Sequence, residues 1–558
     1  MDDVLRTSVV TDSRFGQYGG YGGSGRCRLR VAASLVLAAT QLLVGCGGLG
    51  QWYRNGFKVG PDYSTPPATA AEHWIDADNP RLKSLEDNNA CWWTAFNDPT
   101  LDCLVASAAD ENLTLRTACY RILEARAQRG VAAGNLFPQQ QAAGGSYTRN
   151  ALGNGYPFNL FDFGHYYDNA TVGFNAAWEL DFWGRLRRAV EAADANLDAQ
   201  CANYNNVLVL LQAEVAANYI QMRAYEERLQ LARKNVDLQK ETLRIISLRE
   251  QKGLVTELDV QQATYNLGQT ESMIPPLDAG RRRAQNHLCI LMAKPPQELE
   301  QIADRFGSIP VPPQEIVVGI PAELLRRRPD VQQAERAAAA QSAQIGIAEA
   351  EFYPHIAITG TIGLQAEQLS QLFESKSLAG QIGPGFTWNL LNYGRIRNNV
   401  KAQDARFQQA VLTYRDTVLR ANEEVEDAIV AFLREQDRAA SLAGSAKAAA
   451  RSVELASRQY ETGLIAYQPL LDSERVLVAQ QDTLAESRGL IGIDLVAVYK
   501  ALGGGWRARL AGQPRAASEP VPAGIELQTP VPAPQDRRET PGVETPPVRM
   551  APQPSRTE

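Results

Sequence analysis

Long apolar runs are scarce in this 558-residue chain. The longest, Val31 to Gly45, is broken by Thr40 and Gln41, and nothing later matches it. A membrane-spanning helix needs about 20 consecutive apolar residues, so a polytopic helical membrane protein is excluded. A basic excess is also missing. Lys and Arg total 56 against 63 Asp and Glu, a net charge of -7, which argues against a nucleic-acid partner. There are four histidines, His73, His165, His287 and His355, scattered without metal-ligand spacing. Seven cysteines include no C-x-x-C pair. Neither G-x-x-x-x-G-K-[ST] nor H-E-x-x-H occurs. Gly45-x-Gly47-x-x-Gly50 matches a dinucleotide fingerprint in letters only, with no strand before it or helix after it. These absences point to no enzyme, no cofactor and no metal. What is present is an ordinary folding composition, 44% hydrophobic and 21% charged, with a mean hydropathy of -0.29. Whole-chain disorder is therefore excluded.

The N-terminus is an address. Arg26, Arg28 and Arg30 form a positive region, and Val31–Val44 an apolar stretch of 14 residues, too short to span comfortably. The sequence Leu43-Val44-Gly45-Cys46 resembles the lipobox of bacterial lipoproteins. That resemblance implies cleavage before Cys46 and a lipid on its thiol, with residues 1–45 as signal peptide. Each buried acyl methylene adds about 0.8 kcal/mol of membrane affinity. Gly47, in place of the Asp that retains lipoproteins at the inner membrane, favours the outer membrane. Residues 1–25, Gly- and Tyr-rich, are unusual ahead of a signal and suggest an over-extended start. Removing Cys27 and Cys46 leaves Cys91, Cys103, Cys119, Cys201 and Cys289, an odd number that makes no disulfide framework. Four of them sit among Ala and Leu in helical patterns, where Cys serves as a small apolar residue.

The body is a duplication. A shift of 210 residues carries Gly173, Trp178, Leu180, Gly184, Arg185 and Arg187 onto Gly383, Trp388, Leu390, Gly394, Arg395 and Arg397. The same shift carries Glu214-Val215 onto Glu424-Val425 and Gly253-Leu254 onto Gly463-Leu464. A shift of 216 aligns Leu115, Ala118, Ala127 and Pro138 with Val331, Ala334, Ala343 and Pro354. A constant offset kept this long marks an internal repeat.

Each copy reads helix, strand, strand, long helix, helix. In the first, Asp98-Pro99 opens a helix that stops near Pro138, and strands are expected at 140–149 and 169–181. From Arg185 to about Lys252 no proline intervenes, and Leu208, Leu211, Val215, Tyr219 and Met222 recur at helical spacing. A helix of some 67 residues is a rod of roughly 100 Å. The chain turns at Gly253-Leu254-Val255 and returns as a helix to Lys294. The second copy predicts a helix over 321–350, strands at 355–365 and 381–392, a long helix from Arg395, a turn at Gly463-Leu464-Ile465 and a last helix ending at Gly503. The divisions are therefore 46–97 as a lipidated N-terminal segment, 98–300 and 321–505 as the two repeats, 301–320 as linker, and 506–558 as a disordered tail. Eleven of the 30 prolines lie in that tail.

Several ordered motifs resemble one family. They are Val59-Gly60-Pro61-Asp62-Tyr63, Trp92-Trp93 followed by Phe96 and Asp98-Pro99, and Ile320-Pro321 followed by Leu324-Leu325 and Arg328-Pro329-Asp330. Ala334-Glu335-Arg336, Ile345-Gly346 and Phe352-Tyr353-Pro354 continue the match. Together, over about residues 43–505, they are similar to outer-membrane efflux lipoproteins of the TolC-like superfamily. The resemblance implies a mainly α fold with a small membrane β-barrel. Three chains would supply twelve strands, continuous with a periplasmic α-barrel tunnel. The implied partners are two further copies, a periplasmic adaptor, an inner-membrane efflux pump and outer-membrane lipid. Four strands per chain leave two unpaired edges, which lipid does not tolerate, so closure by copies agrees with elementary physics.

On that resemblance the turns Gly253, Leu254, Val255 and Gly463, Leu464, Ile465 are the periplasmic tips that meet the adaptor. Glycine alone is explained by helix termination, but the exposed apolar residues beside it are not. Asp472 matches a family position whose acids ring the narrowest point, Pro469 stands where a second acid can occur, and Glu257 and Asp259 lie at the first tip. Like carboxylates brought together by symmetry repel and bind cations, which suits a gate; acids offsetting a helix dipole are the equally simple alternative. Arg185 and Arg395, each after a glycine, are expected to hydrogen-bond the kinked backbone. The function implied is a passive exit duct of a tripartite pump. A type I secretion duct and a periplasmic coiled-coil adaptor are the alternatives, the latter disfavoured by two hairpins in tandem. The transported substrate is not legible.

Overall fold

The chain was analysed as a computed structural model, which describes residues 47–69, 71–83, 89–151, 166–297, 307–318 and 327–506. The expected lipidation at Cys46 and the expected tail beyond Trp506 lie outside the described residues. A short helix α1 (Gly47–Arg54), unexpected from the sequence around Gly47 and Gly50, and a two-residue strand β1 (Leu82–Lys83) lead to a 3-10 segment at Asn89–Phe96. The first repeat follows: α2 (Pro99–Glu111), α3 (Leu113–Gly134), β2 (Gln140–Ala151), β3 (Tyr166–Leu180), α4 (Arg185–Gln251), α5 (Glu257–Glu271) and α6 (Ile274–Leu291). After β4 (Ile316–Val317) the second repeat holds α7 (Pro329–Ala350), β5 (His355–Ala366), β6 (Leu378–Thr387), α8 (Arg395–Glu461) and α9 (Tyr467–Ala501).

The two long helices have 67 residues each, and each follows a glycine at φ +83°. Equivalent tryptophans make equivalent hydrogen bonds where strand meets helix: Trp178 Nε1 donates to the Leu136 carbonyl (3.1 Å) and Trp388 Nε1 to that of Phe352 (2.9 Å).

Three spans expected to be single helices are not. In the second repeat Arg328 is extended (φ -68°, ψ 127°), so α7 begins at Pro329 where a helix over 321–350 was expected. The other two lie in the first repeat. Asn112 leaves the helical region (φ -58°, ψ 127°) and ends α2. Its Oδ1 then accepts from Leu115 N (2.9 Å), capping α3, while Nδ2 donates to the Leu291 carbonyl (2.8 Å). The returning helix breaks at Ser272-Met273, because Pro275 and Pro276 lack N–H groups and disfavour helix before them. In the second repeat α9 has a proline only in its first turn, and it runs 35 residues unbroken. A short parallel pair, Leu82 with Ile316 and Lys83 with Val317, ties the N-terminal segment to the linker and was not foreseen. The cysteines also differ from expectation: Cys289 is buried, but Cys91, Cys103, Cys119 and Cys201 are exposed, and all five are free thiols.

The four long strands form one antiparallel sheet in the order β2-β3-β5-β6. Its register puts Phe174 opposite Ile362, Trp178 opposite Ile358, Leu180 opposite Ile356, and Ile356 opposite Phe386. Val172, Leu364, Leu378 and Ile382 share that face. The other face carries Ser146, Thr148, Thr171, Asn175, Thr359, Thr361 and Gln381. One side is thus apolar and the other polar, yet within one chain neither is covered: Ile382 is 83% exposed. Among the described residues no helix is long and apolar enough to cross a membrane.

The main core lies below the sheet, where α2, α4, α6, α8 and α9 converge on Leu101, Leu104, Tyr219, Ile220, Leu288 and Phe432. Three residues of the motifs quoted for the family resemblance lock pieces of it, while Ile320-Pro321 and Leu324-Leu325 lie outside the described residues. Asp98 caps α2 by accepting from Thr100 N (2.9 Å) and also accepts from the Tyr219 hydroxyl (2.7 Å). Trp92 stacks on Tyr499 with ring centroids 5.4 Å apart. Buried Arg328 donates to Asp330, Glu424 and the Ala501 carbonyl (2.8, 2.7 and 2.6 Å), joining α7, α8 and α9.

The Val59–Tyr63 motif is a strap across α4 and α7. Arg188, itself buried, donates to the carbonyls of Val59 (3.0 Å) and Gly60 (3.1 Å) and to Asp62 (2.9 Å). Gly60 has φ +85°, and a Cβ there would lie 2.4 Å from Gly346 Cα. Two glycines are needed for this backbone crossing. Gly60→Val should therefore cost about 2–4 kcal/mol from left-handed strain plus overlap. The expected signs are a lowered Tm and early proteolysis between residues 55 and 70; an unchanged Tm with an intact strap would refute the assignment.

Candidate functional site: the paired hairpin tips

The end of the helical body remote from the sheet is built from two hairpins, α4–α5 and α8–α9. Both turns use one helix-ending device. At the first, Gly253 N donates to the Glu250 carbonyl (2.7 Å) and Leu254 N to that of Arg249 (2.9 Å). At the second, Gly463 N donates to Tyr460 (3.0 Å) and Leu464 N to Gln459 (2.9 Å). Both glycines have positive φ, +70° and +79°, as this 6→1 and 5→2 pattern requires.

The device fixes which way the next residues point. Leu254 and Leu464 are 70% and 76% exposed. Val255 and Ile465 turn inward and pack on a cluster of Ile246, Ala263, Val453, Tyr460, Tyr467 and Leu471. The expected exposed apolar surface is therefore one leucine per tip, joined at the first by Leu258, while Val255 and Ile465 belong to the hairpin interior.

The expected acids occupy different surroundings. Asp259 is a cap: its Oδ2 accepts from Thr256 N (3.0 Å) and the Thr256 hydroxyl (2.9 Å), completing a capping box at the start of α5. Glu257 precedes it in the first turn and is exposed. Asp472 is exposed on α9, where both carboxylate oxygens accept from Gln468 Nε2 (3.1 and 3.2 Å) one turn earlier. Among the described residues no group of three or more His, Cys, Asp or Glu is placed to hold a metal ion.

The residues that join the two hairpins were not singled out in the sequence. Arg249, in the last turn of α4, donates from Nη1 to the Tyr460 carbonyl and from Nη2 to the Glu461 carbonyl, each at 2.8 Å. Its guanidinium also lies 4.5 Å from the Tyr460 ring centroid. One arginine thus caps the C-terminus of the neighbouring long helix. Burial raises the pKa of both Tyr460 and Tyr467, keeping these phenols neutral. The available signal was a basic residue in the final turn of α4, facing a helix whose own end carries Gln459 at the equivalent place.

At the opposite end, Arg185 binds a carboxylate instead of the backbone. Its Nη2 lies 2.9 and 2.7 Å from the two Glu179 oxygens. Backbone contacts there belong to Arg187, which donates to the carbonyls of Gly56 (2.7 Å) and Phe57 (2.8 Å). The repeat equivalents of Glu179 and Asp181 are Asn389 and Leu391, so the second junction lacks both carboxylates.

A strand-borne sheet, two 67-residue helices and two Gly-capped hairpins can now be compared with known proteins. The family model described as outer membrane efflux protein matches residues 104–293 and 320–504. The chain belongs to the outer membrane efflux protein family. It is 29% identical over 472 residues to nodulation protein T of Rhizobium leguminosarum bv. viciae, covering 84% of this chain and 95% of that one. It is 28% identical over 456 residues to the cation efflux system protein CusC of Escherichia coli K12, covering 81% and 97%. Among solved structures, the outer-membrane channel OprN superposes with a TM-score of 0.76 at 32% identity, over 80% of this chain and 99% of that one. As a member of this family, the chain is an outer-membrane channel of a tripartite efflux system, with an adaptor and an inner-membrane pump as the partner classes.

The tip geometry yields a direct test. Arg249→Met keeps the stem but removes two charge-assisted hydrogen bonds, worth about 2 kcal/mol together at this half-buried site. Amides of residues 456–465 should exchange with deuterium about 30-fold faster, since 1.4 kcal/mol is tenfold. Unchanged exchange would show that the arginine does not hold the tips together.

Proposed function

We propose that three copies of this chain close one twelve-stranded barrel in the outer membrane, continuous with a tube of long helices. The observation that carries this reading is the sheet. It has an apolar face and a polar face, both bare in one chain, and two open edges, β2 and β6. An open edge in hydrocarbon leaves N–H and C=O groups unpaired at several kcal/mol each. Pairing β6 of one copy with β2 of the next removes every edge. The apolar face then meets lipid, and Thr148, Thr359 and Thr361 line water. Beside β6, Leu390, Leu391 and Tyr393 are exposed, Tyr393 by 96%, and a neighbouring copy gives them cover.

The strap supports an anchor at the same level. Trp52, Phe57, Phe182 and Trp183 cluster where β3 passes into α4, with centroids of Trp52 and Trp183 5.6 Å apart. Aromatic residues gather at membrane interfaces. Lipid on Cys46, one residue before α1, enters the bilayer beside them.

The tips are the adaptor-binding end and the narrow end of the duct. Leu254 and Leu464 offer the apolar contacts, and Asp472 is the exposed acid that threefold symmetry repeats around the axis. Conduction is passive and non-enzymatic, with energy supplied by the inner-membrane pump.

Mass and single-channel conductance of the detergent-extracted protein test this directly. A trimer mass with discrete conductance steps is expected; a monomer without conductance under any condition sinks it. Leu254→Glu with Leu464→Glu should abolish efflux-dependent resistance in cells while leaving the trimer mass intact. Resistance kept by the double variant would remove the tips from the adaptor interface. Asp472→Ala should flatten the response of conductance to divalent cations, and an unchanged response would dismiss Asp472 as the gate acid.

A further inference from the structure

Just above the tips, one carboxyl group is buried without a counter-ion. Glu474 of α9 is 2% exposed. It crosses from the second hairpin to the first: Oε1 lies 2.9 Å from the Thr242 hydroxyl of α4, and Oε2 lies 3.2 Å from Asn266 Nδ2 of α5. No ion pair reaches it among the described residues.

Charged and titratable groups on the packed elements have partners of their own: on α8, Glu454 pairs with Arg451 (2.6 Å) and Arg458 (2.7 Å). On α4, Lys240 pairs with Glu271 of α5 (3.2 Å) and Arg244 with Glu241 (2.6 Å). Tyr265 of α5 lies under the guanidinium of Arg475, 5.6 Å from its centroid, and Arg475 Nε donates to Asn266 Oδ1 (3.3 Å). Asp259 closes the α5 cap, and Asp472 is turned to Gln468. Tyr460 of α8 and Tyr467 of α9 are neutral phenols.

The hydrogen bonds accommodate a neutral acid, and burial without a cation favours it. The Thr242 hydroxyl has one proton and two acceptors in reach, the Leu238 carbonyl (3.2 Å) and Glu474 Oε1 (2.9 Å). With Glu474 protonated, Oε1–H donates to Thr242 Oγ1, Thr242 donates to Leu238, and Asn266 donates to Oε2. Every group is then satisfied. With Glu474 ionised, Thr242 and Asn266 both donate to it, but a charge stays buried without a cation.

We propose that Glu474 is a proton-binding latch between the two hairpins, holding the tips packed when protonated and releasing them when ionised. This rests on the reading of the tips as the gated end of the duct. Burial raises the pKa of Glu474 above the ordinary carboxylate value, against smaller lowering contributions from Thr242 and Asn266. The sign follows from linkage. In the released state the group is solvated and titrates normally near 4.3. Below that value both states are protonated and packing is at full strength. Between the ordinary and the raised value the packed state holds the extra proton, so packing weakens as pH rises through this window. Acid locks the tips and neutrality loosens them.

Asp494 is the other raised acid on α9, pushed up to about 6 by burial and by Glu435 of α8. Because it faces α8, it does not bridge the hairpins, and it provides the control.

The experiment follows backbone hydrogen exchange of residues 467–480 in the full-length protein in detergent, from about pH 5 to about pH 8, with the intrinsic pH dependence divided out. Wild-type protection should fall several-fold as pH rises across this range. Glu474→Gln should be flat and as protected as wild type in acid, since its amide donates to Thr242 and accepts from Asn266. Asp494→Asn should keep the wild-type slope. A flat wild type, a slope kept by Glu474→Gln, or a slope lost only in Asp494→Asn would each overturn the latch. Conductance is recorded on the same samples. Slope without conductance leaves the latch standing and sinks the duct, whereas conductance without slope sinks the latch alone.

Discussion

A backbone in hydrocarbon must pair all its own N–H and C=O groups, and the architecture of this chain follows from how that demand is met. Each repeat supplies one strand pair. Two pairs join into a four-stranded sheet, which still has two edges. On the proposed reading, closure is then a matter for copies. The same sheet has no core of its own, so stability must come from elsewhere in the chain. It comes from the helical body, where Asp98, Tyr219, Arg328 and Glu424 tie successive helices together below the sheet. On that reading the sheet contributes the pore lining, while the helical part contributes the fold.

Rigid coupling between the two parts depends on the junctions. Each long helix starts directly after a left-handed glycine, and each junction is pinned by a tryptophan indole on a backbone carbonyl. At the first junction Asp181 also accepts from Leu186 N (2.8 Å) and Arg187 N (2.9 Å), an anion placed on the positive end of a rod of about 100 Å. The strap adds a third element at this level, held by Arg188 and by the Gly60–Gly346 crossing. Direction imposed at the membrane is therefore carried along 67 residues to the tips with no proline to bend it.

Much of this was legible because it rests on local rules. The offset of 210, the proline-free spans and the terminal glycines gave the repeat, the rods and the turns. Most of what escaped had a tertiary cause. Asn112 breaks a helix in which neither Gly nor Pro marks the place, since its side chain finds both an N-terminal amide and a carbonyl from α6. Pro275-Pro276 is a local signal of the break after α5, legible in the sequence but not used in reading the returning helix as continuous. Val255 and Ile465 read as surface residues because they follow a turn; the hydrogen-bonded geometry of that turn sends them inward. Glu474 had a usable signal. It stands four residues after Leu470 and three before Leu477, on the apolar face of its helix, where an acid is out of place unless something answers it.

The departures from symmetry carry the most functional weight. In the proposed trimer, sixfold-like packing needs only what the repeats share, and both tips share glycine, leucine and the same terminating hydrogen bonds. The contacts that hold one hairpin to the other fall where the repeats diverge. Arg249 corresponds to Gln459, Thr242 to Ser452, Asn266 to Val476 and Glu474 to Thr264, and the cap Asp259 within the first hairpin corresponds to Pro469. In each pair one copy has the charge, cap or hydrogen-bonding group that the other lacks or weakens. A wholly symmetric tube would give both hairpins the same stability and no reason for one to move against the other. Here the α4–α5 hairpin has the capping box and donates the arginine, whereas α8–α9 receives that arginine and carries the buried acid. The second hairpin is accordingly the one whose attachment depends on a removable proton, and the first is the fixed wall against which it is held.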